Sequence, residues 1–188
     1  MYGIWIALFA GFTLLQVFDF GHQSYIGNLL NVEYHIDRKK FYNHLGSSLT
    51  IAILLGILQL TITIFLVITG YLNDFLGVST GESNYYVISV SMLSLMLMWV
   101  IAGSIGGILI KILIPAGYMA QSITWGIIFK LSQFLSLLIV AINGGKILEA
   151  SLVYSIVQLF LSYIVFKYIK ISCPNFIPGG KSGILIRD

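Results

Sequence analysis

Apolar residues fall along the chain in five long blocks separated by short polar connections. The blocks cover about 2–19, 46–70, 85–107, 118–142 and 150–168. Each is close to the roughly 20 residues a helix needs to cross a hydrocarbon core of about 30 Å, at about 1.5 Å rise per residue. Their β-branched residues and threonines do not point to strands. Barrel strands alternate over about 9–11 residues, whereas these blocks are longer and continuously apolar. Backbone groups in lipid must bond within their own segment, which again favours helices. The pattern predicts an all-α, polytopic integral membrane helix bundle of about five spans. Residues 1–170 form one transmembrane lobe, and 171–188 form a cytoplasmic tail.

Composition agrees with a lipid solvent. Of 188 residues, 58% are hydrophobic and 9% are charged, against about 25% charged in an average soluble domain. The start of the chain does not read as a signal peptide. No Lys or Arg precedes the first block, where such a leader carries its basic region, and the first basic residue is Arg38. The single cysteine, Cys173, excludes an internal disulfide framework and a cysteine-based zinc cluster.

Charge then orients the blocks. The connection "NVEYHIDRKKFYNH" carries Arg38, Lys39 and Lys40, whereas "YLNDFLGVSTGESN" carries Asp74 and Glu82 and no basic residue. "KILIPAG" carries Lys111, with Pro115 ending the preceding helix. "NGGK" is a tight turn with Lys146, and the tail carries Lys167, Lys170, Lys181 and Arg187. One side of the membrane thus collects eight basic residues and the other collects Lys146. The positive-inside rule places the rich side, and the C-terminus, in the cytoplasm. The first block then runs from outside to inside, ending near Asp19. An N-terminus outside with no polar lead suggests a further helix before Met1.

Few residues could carry chemistry. Asp19 sits in "FDFG". As an acid at a helix C-terminus it opposes the helix dipole. One reading makes it the interfacial N-cap of a resumed helix, "FGHQSYIGNLLNVEYH", with Gly21 relieving a kink. The other makes it a polar group that lines a cavity or pairs with a cation, as intramembrane ionisable groups do. Lys130 lies near the middle of the fourth block. A lysine there costs about 2.5–3.5 kcal/mol on insertion scales. Helical spacing puts Ser122, Gly126, Gln133 and Ser136 near its face, a polar or small stripe suited to a cavity. A snorkelling lysine is the alternative, although about eleven residues separate it from either end of the block. Arg38, Lys39 and Lys40 are a topology signal beside anionic lipid, or a first contact for a phosphorylated substrate at the cytoplasmic mouth.

Other features carry less. His22, His35 and His44 lack metal-site spacing. "GSIGG" and "GGKSG" lack the strand–loop–helix context of a phosphate loop. Trp5, Tyr71, Tyr85, Tyr86 and Tyr168 fit an interfacial aromatic belt. No triad, paired carboxylate or metal set is visible, so neither an enzyme nor a metal, cofactor or nucleic-acid partner is expected.

The opening "YGIWIALFAGFTLLQVFDFGHQSYIGNLL", with the basic "DRKKFYNHLGSSLT" after it, resembles the polysaccharide flippases. These are the O-antigen repeat-unit transporters (Wzx-type) of the multidrug/oligosaccharidyl-lipid/polysaccharide exporter superfamily. Tyr2, Gly3, Trp5, Asp19, Gly21 and Asn28 carry the likeness. "GGILIKILIPAGYMAQSITWG" and "SLVYSIVQLFLSYIVFKYIK" look like later parts of the same lobe. The resemblance implies a twelve-helix fold in a bacterial cytoplasmic membrane, of which this chain supplies helices two to six as a fragment of the N-terminal lobe. It implies transport of undecaprenyl-pyrophosphate-linked oligosaccharide for surface polysaccharide assembly. It also implies partnership with a second lobe or other polysaccharide-assembly membrane proteins, in contact with membrane lipids. A non-catalytic membrane scaffold, and a drug or small-molecule exporter of the same superfamily, are the alternatives.

Overall fold

The computed structural model describes residues 2–78 and 82–173. The elements are α1 (Tyr2–Ile36), α2 (Arg38–Thr69), a short α3 (Leu72–Leu76), α4 (Glu82–Met98), a π-helical turn (Trp99–Ser104), α5 (Ile105–Lys111), α6 (Met119–Ile142) and α7 (Ile147–Ser172). The all-α expectation holds. Five helical passes are long and apolar enough to cross a membrane, with α4, the π turn and α5 making one pass. Most of the expected tail, with Lys181 and Arg187, lies outside the described residues.

The first pass corrects the sequence reading. The helix does not stop at Asp19 and resume. It continues through Gly21 to Ile36 as one element of 35 residues, about 52 Å long at the helical rise. A Cβ added at Gly21 would meet nothing within 4 Å, so no close approach requires that glycine. Asp19 is therefore not the N-cap of a second helix. It stands midway along α1 and is fully buried. The basic connection is also largely helical. Its one break is at Asp37, whose carboxylate Oδ1 accepts from the Lys39 and Lys40 backbone N–H groups at 3.0 and 3.1 Å. That capping starts α2 at once.

The remaining turns follow local chemistry. Gly70 ends α2 and Gly77 ends α3, both in the left-handed region. Such a φ is open to glycine without a Cβ penalty. The segment around Pro115 turns the chain between α5 and α6. Gly144, at φ +70°, closes the turn between α6 and α7.

Two apolar clusters hold the bundle. One gathers Leu8, Phe12, Leu15, Ile88, Met92, Leu95 and Tyr154. The other gathers Ile26, Leu30, Phe41, Leu45, Ile108 and Val165. Each of the five passes contributes to both clusters, so each crosses the level between them. Helix α1 packs on α2, α4 packs on α7, and α6 packs chiefly along α7. Few α6 side chains are buried.

Candidate functional site

The level between the two clusters is polar. On α1 it holds Gln16, Asp19 and Gln23, all buried, and on α2 it holds Gln59. The third pass brings Trp99, Gly103 and Ser104 in its π turn. Helix α7 brings Gln158 and Ser162, and α6 brings Gln133. In lipid such groups need partners inside the protein, and the bonds found here tie separate helices together.

Trp99 Nε1 donates to Asp19 Oδ2 at 3.0 Å, linking the π turn to α1. Gln23 Nε2 donates to the Gly103 carbonyl at 3.2 Å. Ser104 Oγ donates to the Ala52 carbonyl at 3.0 Å, linking the π turn to α2. Gln59 Nε2 donates to the Leu15 carbonyl at 2.9 Å, linking α2 to α1. The π turn takes part in three of these four bonds. A π turn widens the helix and disturbs its regular backbone ladder, and such turns concentrate at functional positions.

Two glycines make the junction possible. A Cβ at Gly103 would collide with the Trp99 indole, and one at Gly107 would collide with the Gln23 amide. "GSIGG" is thus no phosphate loop. It gives the ring and the amide room against the backbone. Phe12 and Phe20 of α1 meet the Trp99 ring edge-on, with centroids 6.2 and 5.6 Å away, a favoured geometry for aromatic pairs. The indole is held by one carboxylate and two rings.

Beside this junction lies a cavity of about 190 Å³. Its polar lining comes from Gln23, Gln133, Tyr154, Gln158 and Ser162, with Trp99 forming part of the wall. Gln158 is only 4% exposed, and its Nε2 has no hydrogen-bond partner. A buried amide donor without a partner is costly, and Gln158 lines this cavity. Asp19 is not in the lining. Its Oδ1 and Gln59 Oε1 are also without partners.

The sequence-derived candidates divide. Gln133 lines the cavity, Ser136 is buried, and Ser122 and Gly126 are half-buried on the same side of α6. Lys130 is exposed on the flank of that face and does not line the cavity. Arg38, Lys39 and Lys40 lie together at the start of α2. The Arg38 guanidinium stands 3.7 Å from the centre of the Tyr34 ring, and Lys40 Nζ lies 3.9 Å from Asp37 Oδ2. Among the described residues no group of His, Cys, Asp and Glu is arranged to hold a metal ion.

Sequence reasoning passed over Gln16, Gln23, Gln59, Gln158 and Trp99 by attending to ionisable groups. The available signal was a neutral amide inside almost every apolar block, which is costly in lipid unless several such groups converge. No protein-family model matches the chain, and neither does a curated protein or a solved structure.

Proposed function

We propose that the chain is part of a transporter that carries a lipid-linked oligosaccharide across a bacterial cytoplasmic membrane. The observation that supports this best is Gln158, which carries a buried amide donor without a partner and lines a cavity at the polar level of the bundle. Transporters place binding sites near the bilayer midplane, where irregular helix is accepted only beside a cavity or buried in protein. Gln23, Gln133 and Gln158 each offer a donor and an acceptor, and Tyr154 and Ser162 add hydroxyls. That set suits the hydroxyl groups of a sugar. The cavity has room for about one ring at a time, while a polyprenyl tail stays in lipid. The likeness of the opening segment to the polysaccharide flippases points the same way. The basic connections orient the protein with its C-terminus in the cytoplasm, and Arg38, Lys39 and Lys40 are placed to meet a pyrophosphate at the inner surface.

The test is a flipping assay in proteoliposomes with a fluorescent undecaprenyl-pyrophosphate-linked oligosaccharide, scored by lectin access to the outer leaflet. The full chain raises the rate above empty vesicles, and Gln158→Leu lowers it at equal protein content. Equal rates with and without the chain reject transport by this chain. An unchanged rate in Gln158→Leu rejects the cavity.

A second reading is a non-catalytic assembly subunit. The exposure of α6 along most of its length favours it, since such a helix offers a face to other membrane segments.

A further inference from the structure

Lys130 is eleven residues from Met119 and twelve from Ile142, the ends of α6. Either end is about 16–18 Å away at the helical rise, beyond the reach of a lysine stem that snorkels to the interface. The side chain is exposed, and among the described residues it has no acidic partner within ion-pair distance. On one flank of it Ile127 and Phe134 are each 61% exposed, whereas Gln133 on its other side turns to the polar cavity. Lipid alone does not suit the cation, because a bare charge at mid-depth is costly there.

The flank continues into an apolar groove of about 570 Å³ between Trp5 of α1 and the turn joining α6 to α7. Phe134, Leu137, Leu138 and Ala141 form its α6 side. The cation in the groove's own lining is Lys146, at the α6–α7 turn, and Lys130 stands one helical turn before Phe134 at the groove's near end.

We propose that this face of α6 receives a membrane-spanning helix of a partner protein, and that a carboxylate at mid-depth on that helix pairs with Lys130. A second copy of this chain is a poor occupant. Asp19 is buried against Trp99, Glu33 bonds His44, and Asp37 and Glu149 cap helix starts. Asp74 lies in the connection after α2. Among the residues whose side chains are described, no acid is exposed at mid-depth. The pairing goes beyond transport and is read by assembly, so a failed flipping assay leaves it standing and its own failure leaves transport standing.

The test uses the full chain in phosphatidylcholine vesicles, with Cys173→Ala and a donor dye on Asn143→Cys. Acceptor-labelled Leu/Ala helices of 24 residues, the length of α6, carry Glu, Gln, Lys or Leu at the centre. The Glu helix associates about tenfold more tightly than the Leu helix, the size of a good interhelical polar contact in lipid. Lys130→Leu abolishes the preference, and Lys130→Glu transfers it to the Lys helix. Because Lys130→Leu removes a charge from lipid, it does not impair insertion, and the charge swap guards against a variant that folds differently. Equal binding of the Glu and Leu helices, or a preference that survives Lys130→Leu, overturns the proposal. So does energy transfer between two copies of the chain that depends on Lys130. In the Cys173→Ala background, Lys130→Cys resists a membrane-impermeant maleimide. Rapid labelling instead marks an aqueous anion path, for a phosphate or a lipid headgroup, and also overturns the proposal.

Discussion

Trp99 and Asp19, eighty positions apart in sequence, share a hydrogen bond of 3.0 Å from indole N–H to carboxylate. The bond joins the π turn of the third pass to the middle of the first. It places a buried carboxylate immediately behind a wall of the polar cavity.

Removing one partner of this pair leaves the other unsatisfied in a dry interior. Trp99→Phe is expected to destabilise the protein by about 1–3 kcal/mol, the penalty for a stranded buried polar group. Adding Asp19→Leu to Trp99→Phe recovers part of the loss, because no polar group is then stranded. A double-mutant cycle of unfolding in mixed micelles measures both. Additive losses show that the pair is not coupled.

The two glycines beside the pair are not equivalent. Gly103→Ala drives a methyl into a rigid indole held by Asp19, Phe12 and Phe20. Gly107→Ala meets the end of a flexible Gln23 side chain, which can swing aside. Gly103→Ala is therefore the more destabilising, within the roughly 1–3 kcal/mol typical of overpacking. Gly107→Ala mainly breaks the Gln23–Gly103 bond. Tryptophan emission, followed with thermal unfolding, separates the two. A larger loss in Gly107→Ala contradicts the assignment.

Asp37 is the single punctuation between α1 and α2. Asp37→Ala removes the cap on two backbone N–H groups and is expected to cost about 1 kcal/mol. Hydrogen exchange at the Lys39 and Lys40 amides reports it directly. Asp37→Asn, which keeps an oxygen acceptor, retains most of the protection.

Orientation is testable by labelling in whole cells and in inverted vesicles. With the basic connections in the cytoplasm, Lys40→Cys reacts with an impermeant reagent in inverted vesicles alone, and Asn143→Cys reacts in cells, both with Cys173→Ala. The reverse pattern overturns the orientation.

Sequence by itself determined the solvent and the number of passes. Long apolar blocks in lipid have one inexpensive backbone solution, so five helices were legible without any knowledge of packing. The turns at Pro115 and Gly144 were legible for the same local reason, since their φ preferences are intrinsic. The extent of α1 was not legible. Asp19 and Gly21 look like a break because both disfavour a helix interior in isolation, and only the burial of Asp19 against Trp99 makes the acid tolerable there. The cavity was legible in one residue, Gln133, because it shares a helical face with Ser122 and Ser136. Its other amides lie on different helices, and convergence between separate helices leaves no periodic mark. Tertiary structure alone decided that Gln23, Gln133 and Gln158 meet, and that Lys130 points away from them. Local preference acts over one helical turn, whereas a polar level inside a bundle exists only once the helices have packed.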